Sequence, residues 1–370
     1  MKISFILPEH EINGGNLIVS CYARELQKRG HQVTLIAPKK PAISIRDQVK
    51  SILGFNGWNR NSSDKIHFYT NVDYKIVTLN KHRTVIAADV PDGDIVIATW
   101  WKTVNWVNEL PASKGTKIHF IQGYDATEYS APKLVDATWK LPFYKIAVSR
   151  WLAELGRKQM NVTIDRIIHN SVELNTFYSP KRPRPSVPTV GFLYSDYPGK
   201  GTETVVDVLK QLKKNSPQLR AFCFGNPSPG SEINLPEWIE FFHQPPQEKI
   251  REIYTHCNVW FYASEQDGFG LTPVEAMACR CPVVTTNVGA MPELIENGKN
   301  GYLISVGDIE AMVRRITSIL SCPDEQWQSM SDHAFDTASR YTWEDATNLF
   351  EQSLNDAVSI EARQRDDIAA

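Results

Sequence analysis

Residues 264–301 read S-E-Q-D-G-F-G-L-T-P-V-E-A-M-A-C-R-C-P-V-V-T-T-N-V-G-A-M-P-E-L-I-E-N-G-K-N-G. Three acids, Asp267, Glu275 and Glu293, stand here around a glycine loop, Asp267-Gly268-Phe269-Gly270-Leu271. Glycines let a backbone approach a ligand closely and take dihedrals that other residues avoid. Thr272-Pro273 then predicts a helix start, with Thr as N-cap and Pro at the first helical position. That start places Glu275 in the first turn. Free N–H groups and the positive end of the helix dipole at that turn suit an anionic phosphate. A carboxylate beside them can accept two hydrogen bonds from a vicinal diol such as a ribose. An ordinary loop, helix and strand would explain the apolar residues, but not three acids around a glycine loop.

The same stretch resembles the donor-sugar signature of retaining glycosyltransferases of GT-B architecture, the large family often called family 4. Its pattern is S-x-x-E-G-F-G-L-x-x-x-E-A-M-A-x-G-x-P-V-V, then G-G-x-x-E and N-G-x-x-G. Ser264, Gly268, Phe269, Gly270, Leu271, Glu275, Ala276, Met277, Ala278, Pro282, Val283, Val284, Gly289, Glu293, Asn297, Gly298 and Gly301 match it. Two positions depart: the first acid is Asp267, one methylene shorter, and Arg280 stands where the family has Gly. The resemblance implies that Glu275 holds the ribose and that Asp267 contacts the transferred sugar or its phosphate.

Other segments carry the resemblance further. Y-S-D-Y-P-G-K-G-T-E-T resembles the family's V-G-R-L-x-x-x-K-G, in which an Arg and a Lys bind the donor diphosphate. Lys200 and Gly201 match, so Lys200 is the expected diphosphate ligand. The Arg place holds Phe192, or Tyr194 with a shifted loop, and a cation is lost. Gly225 and Asn226 fall where the family's loop nears the base. Gly14 and Gly15, after the first strand, are expected on the acceptor side. In I-H-F-I-Q-G-Y-D, Gln122 takes the place of a His that touches the transferred sugar in many relatives; Tyr124 and Asp125 follow it. Gln122 can hydrogen-bond a sugar but cannot serve as a base. Gln-x-Tyr-Asp resembles a variant known among relatives that use deoxysugar donors such as rhamnose. I-H-N-S-V-E, at residues 168–173, resembles the family's I-P-N-G-V-D.

Elements must position these residues. A chain of 370 residues predicts two domains. Residues 2–7 and 32–37 read as strands joined by a helix over 16–29, one β-α-β unit with a right-handed crossover. Further strands are expected at 75–79, 95–98, 117–122 and 145–148, and residues 44–63 read as a long polar loop. Residues 181–188 form a proline-rich, stiff linker. Beyond it, strands at 189–193, 219–225, 239–243 and 259–263 alternate with helices at 202–214 and 248–256. That alternation gives a second doubly wound α/β sheet. The boundaries are placed at 1–172, with 352–370 returning to it, and 173–351. The helix from Trp343 resembles one that family members send back to their first domain.

Composition excludes several classes. A net charge of −2 gives no general nucleic-acid signal. Six scattered cysteines, with only Cys279-x-Cys281 close, fit neither a zinc knuckle nor a redox pair; reduced thiols and a cytoplasmic protein are expected. The start M-K-I-S-F-I-L-P reads as a buried strand rather than a signal peptide. No run is long enough to span a membrane, so any membrane contact is peripheral. Its candidate surface is residues 133–158, where basic residues alternate with Trp139, Phe143, Tyr144 and Trp151. Asp92-Gly93-Asp94 could hold a divalent metal, but before D-I-V-I-A-T it reads better as a tight turn. His119 reads as a strand residue.

The expectation is therefore a GT-B protein. It would transfer a sugar from a nucleotide diphosphate sugar to a glycan or lipid-linked glycan with retention, without metal or cofactor. The alternatives are a sugar-nucleotide epimerase of the same fold and a non-catalytic partner subunit that binds nucleotide sugar.

Overall fold

A computed structural model describes residues 1–9, 13–40, 72–124, 132–197, 199–226 and 233–369. Asp125 and the expected loop at 44–63 lie outside the described residues. The chain divides into two compact units. Met1–Gln122, Lys133–Ile146 and Thr347–Ala370 form one; Gly123–Pro132 and Ala147–Ala346 form the other.

The chain order begins β1 (Lys2–Ile6), α1 (Gly14–Lys28), β2 (Gln32–Ala37), β3 (Lys75–Thr78), β4 (Ile95–Ala98), α2 (Trp101–Asn108), β5 (Thr116–Ile121) and α3 (Pro132–Trp139). It continues through β6 (Tyr144–Ala147), α4 (Arg150–Leu155) and β7 (Arg166–Ile167). These strands form a sheet in the order β3-β2-β1-β4-β5-β6-β7. Residues 95–98, Ile-Val-Ile-Ala, are buried throughout, as a parallel strand covered on both faces requires. Phe350 is fully buried and stacks on Tyr22 at 4.3 Å, with Phe120 at 5.3 Å and Phe5 at 6.3 Å. A late residue thus fills the core of the first unit.

The second sheet contains β8 (Thr189–Tyr194), β9 (Arg220–Gly225), β10 (Ile239–His243), β11 (Val259–Tyr262), β12 (Val283–Thr286) and β13 (Gly301–Ile304). Their order is β10-β9-β8-β11-β12-β13, with parallel pairing throughout. Its helices are α5 (Thr202–Asn215), α6 (Gln247–His256), α7 (Leu271–Ala278), α8 (Met291–Leu294), α9 (Ile309–Ser321) and α10 (Asp324–Ser339). The last helix, α11 (Trp343–Ala369), ends the chain. Trp327 is fully buried beside β11, and its Nε1 donates to Asn258 O at 2.9 Å. The Asn258 side chain in turn accepts from Thr189 N at 2.7 Å, which fixes the entry to β8.

In both sheets the connection reverses direction between two central strands, β1 and β4 in the first, β8 and β11 in the second. Ligands of open α/β sheets bind outside the carboxyl ends of the strands at such points. All six cysteines are free, five of them buried. Among the described residues, no helix is long and apolar enough to cross a membrane.

Candidate functional site

The loops after β8 and β11 leave the second sheet from adjacent strands. That adjacency brings together Lys200 and Asp267, 67 residues apart in the chain. Lys200 Nζ lies 2.7 Å from Asp267 Oδ2. Tyr262, the last residue of β11, donates its hydroxyl to the same oxygen. The two loops are also stitched through backbone: Gly199 O accepts from Glu265 N at 2.7 Å and from Ser264 Oγ at 3.0 Å. Gly201 follows at φ +73°, and a Cβ there would lie 2.0 Å from Ala263 O. Only glycine lets the start of α5 close so tightly on the end of β11.

Burial alone would raise the Asp267 pKa. The Lys200 charge and hydrogen bond, then the bonds from Tyr262 and Phe269 N, outweigh it and hold the carboxyl below its ordinary value. Burial, followed by the adjacent Asp267 charge, pushes the Tyr262 phenol well up, so it stays a donor.

Residues 268–271 lead into α7. The helix starts at Leu271, with Gly270 as its N-cap at φ +95°. This corrects the start predicted at Thr272-Pro273. Glycine in a left-handed conformation turned the chain two residues earlier than the Thr-Pro signal implied. Glu275 consequently lies in the second turn, not the first, and the first turn carries no acid. Its Oε2 accepts from the Tyr254 hydroxyl of α6 at 2.7 Å. Burial raises the Glu275 pKa to about 7, against the lowering effect of the Tyr254 bond.

The third acid is differently engaged. Glu293 accepts from Arg150 N at 2.8 Å and pairs with His169 Nε2 at 2.9 Å. Nearby, Ser149 caps α4 by accepting from Leu152 N and donates its own Oγ to Gly268 O at 2.7 Å. Glu293 and Ser149 therefore hold residues 149–169 and the glycine loop in place. From the sequence, Ser149 opens a segment over 149–159 that resembles a family helix starting just after a strand, but its bond to the glycine loop has no local signal.

Arg280 occupies the position expected to be glycine, and its φ is +60°. Cys281 N donates to Ala276 O and Arg280 N to Met277 O, both at 2.9 Å. These two bonds make the paired C-terminal cap that normally demands glycine. The buried guanidinium explains the exception: Nε donates to Ser179 O at 2.9 Å, Nη1 pairs with Asp332, and the group lies 4.4 Å from the Phe335 ring centre. Phe192 and Tyr194 are core residues, so neither presents a side chain in place of the lost cation.

Among the remaining predicted residues, Gly225 ends β9, where a Cβ would sit 2.1 Å from Tyr194 O, and Asn226 is exposed. In the first unit, Gly14 and Gly15 open α1 rather than precede it; the N-cap is Asn13, which accepts from Asn16 N. A Cβ on Gly15 would lie 3.5 Å from Gln122 Nε2, so these two predicted residues are neighbours. Gln122 Oε1 is buried without a hydrogen-bond partner among the described residues. Tyr124 is half-buried.

Several candidates leave the site. Asp92 pairs with Lys114 at 2.9 Å, and Asp94 accepts from Lys2 N at 2.7 Å, at the opposite end of the strands. His119 is buried with its ring edge-on to Trp139, and burial, then the nearby Lys145 charge, lowers its pKa to about 3. Trp139 and Phe143 are core residues, so residues 133–158 present cations without those aromatics.

Comparisons with known proteins place this geometry. The profile of the family glycosyl transferases group 1 matches residues 179–336. A D-inositol 3-phosphate glycosyltransferase of Corynebacterium urealyticum is 29% identical over 174 residues, covering 43% of this chain and 41% of that protein. An O-antigen chain mannosyltransferase B of Escherichia coli is 31% identical over 119 residues, covering 32% of this chain and 29% of that protein. These matches span less than half the length of either curated relative. A crystal structure of Anabaena Alr3699/HepE with UDP-glucose superposes at a TM-score of 0.71 and 17% identity, over 96% of this chain and 100% of that one. The sucrose-phosphate synthase of Thermosynechococcus elongatus superposes at 0.72, with 17% identity over 97% and 100%. The fold is therefore GT-B, and residues 179–336 are similar to the glycosyl transferases group 1 family.

Proposed function

We propose that this chain is a retaining glycosyltransferase that moves a hexosyl or deoxyhexosyl group from a nucleotide diphosphate sugar to a glycan or lipid-linked glycan. The carrying observation is the Lys200–Asp267 pair, gripped by Tyr262 at the second sheet's reversal point and directly before the α7 N-terminus. Support comes from the relatives, whose names include transfer to D-inositol 3-phosphate and mannosyl transfer to O-antigen chains. The HepE neighbour was crystallised with UDP-glucose.

In this reading Lys200 and the free N–H groups of α7 meet the leaving diphosphate. Residues Gly268, Phe269, Gly270 and Leu271 let it approach the backbone. Glu275 accepts from the ribose hydroxyls, and Gly225 and Asn226 border the base. Asp267 contacts the transferred sugar, and Gln122 in the first unit offers a hydrogen bond to a sugar hydroxyl. Gly14, Gly15, Tyr124 and Asp125 belong to the acceptor side. The bond from the anomeric carbon to the diphosphate oxygen breaks, and a bond to the acceptor oxygen forms on the same face. The acceptor proton passes to the leaving phosphate, so no side-chain base is required. A lipid-linked acceptor would bring the protein to a membrane surface peripherally.

A second reading, a nucleotide-sugar-binding subunit without transfer, rests on Phe192, a core residue where the resembling family carries a cation. The test is a thermal-shift panel of dTDP-, UDP- and GDP-sugars, followed by product analysis with candidate acceptors. Stabilisation by one donor class with transferred product supports the first reading. Stabilisation without product supports the second, and stabilisation by none removes both.

A further inference from the structure

The first unit carries an aromatic and basic ledge that the donor chemistry does not use. The carboxyl ends of four neighbouring strands are tied level with one another. Leu7 N donates to Ile36 O, Leu79 N to Ala37 O, and Thr99 Oγ1 to Ile6 O, all at 2.9 Å. In the order β3-β2-β1-β4, the residues just beyond this edge are Lys81 and His82, then Lys39, then the α1 N-terminus, then Trp100, Trp101 and Lys102. Three inter-strand steps of about 4.8 Å make the ledge roughly 14 Å long.

The aromatic end is built rather than incidental. Thr103 Oγ1 accepts from Trp100 N at 3.1 Å and from Thr99 N at 3.0 Å, and donates to Trp100 O at 2.8 Å. Those bonds fix the backbone from which both indoles project. The rings are half-buried and 5.5 Å apart, and Lys102 Nζ lies 5.0 Å from one centre and 5.3 Å from the other. A tryptophan pair offers flat apolar area while its flanks stay wet. At the other end, His82 Nδ1 meets Lys39 O at 3.0 Å, which joins the β2 and β3 ends. Lys39, Lys81 and Lys102 are exposed, and none has an acid partner among the described residues. Arg83 does not contribute free charge, because it is clamped by Asp89. The acid beyond the β1 end is Glu9, which is already engaged.

We infer that this ledge is a subsite for an anionic glycan acceptor. A sugar ring stacks at Trp100 and Trp101 beside Lys102, and a phosphate or carboxylate further along the same ligand faces Lys39 and Lys81. The inference rests on the proposed transferase reading and names the acceptor class for it. The negative charge can come from a lipid diphosphate or from an acidic sugar, and the chemistry of the ledge is common to both.

The experiment is isothermal titration of the full chain, without donor, using three probes. They are geranyl diphosphate-linked N-acetylglucosamine, a hyaluronan tetrasaccharide and, as the neutral control, chitotetraose. One charged probe should bind at least tenfold more tightly than the control, and salt should weaken it. Binding of the first alone assigns the charge to a lipid diphosphate; binding of the second assigns it to an acidic sugar. Trp101→Ala and the pair Lys39→Gln, Lys81→Gln should each weaken that probe about tenfold or more. The nucleotide-sugar thermal shift of each variant should remain, which separates loss of the ledge from loss of fold. If neither charged probe exceeds chitotetraose, or if the variants bind unchanged, the inference is overturned. If no nucleotide sugar binds the parent protein, the transferase reading fails, whatever the ledge binds.

Discussion

Lys200 Nζ is held 2.7 Å from Asp267 Oδ2, so the cation assigned to the diphosphate already has a carboxylate partner. A ligand that takes the lysine must compete with an acid that is itself held by Tyr262. Asp267→Asn keeps the shape but releases the lysine. Donor affinity should then hold or rise, while transfer falls. Lys200→Ala should weaken donor binding about 10- to 100-fold, because it removes a charge-assisted bond and strands Asp267. Calorimetric donor titration beside turnover assays checks both, and an Asn variant that loses donor affinity would count against the assigned roles.

Glu275 and Asp267 should respond to pH in opposite senses. The Glu275 pKa is raised to about 7 from 4.5 by burial. The folded state therefore keeps a proton that the unfolded chain releases, and this group lowers stability as pH rises from about 4.5 to 7. Asp267 is lowered, so its contribution is present above the ordinary aspartate value and is lost as pH falls through the folded value. Glu275→Gln should flatten the decline in melting temperature between about pH 5 and 7. Donor binding that recruits the ionised carboxylate should release a proton near pH 6.5. Titrations in buffers of different ionisation enthalpy would detect it.

Glycine substitutions near the loops should rank by what the new methyl group meets. At Gly201 it meets a backbone carbonyl at 2.0 Å; at Gly270 it meets the flexible Met291 Cε at 2.9 Å. Both positions have positive φ. Gly270→Ala should cost about 1–2 kcal/mol, and Gly201→Ala should cost more and loosen the Lys200 loop. Urea denaturation of the two variants tests the order.

Arg280 opposes two effects. Its left-handed backbone disfavours arginine by about 1–2 kcal/mol, while its bonds to Ser179 and Asp332 and its contact with Phe335 favour it. Arg280→Ala loses the bonds and keeps the strain, so it should destabilise by about 3 kcal/mol. Arg280→Gly loses the bonds but relieves the strain and should cost about 1 kcal/mol less. Equal destabilisation of the two would remove strain from the account.

Both doubly wound sheets were legible in the sequence, because each central strand is a short apolar run bounded by turn residues. The glycine loop and its acids were legible as a motif. The start of α7 was misread, because Gly270 caps without a side chain and Thr272-Pro273 imitates a better signal. Arg280 could not be read locally, since its partners lie 101 and 52 residues away. The Trp100-Trp101 pair passed unnoticed as composition. Its meaning depends on standing just beyond a buried strand, at the end where ligands gather.

Phe350 closes the aromatic cluster of Phe5, Tyr22 and Phe120. During synthesis the first unit must therefore wait for residue 350 before its interior can dry. The second unit is complete by Ala346 and can fold while that tail is still inside the ribosome. A stop codon shortly before residue 350 would thus harm the first unit, most of which is made earlier, more than the second.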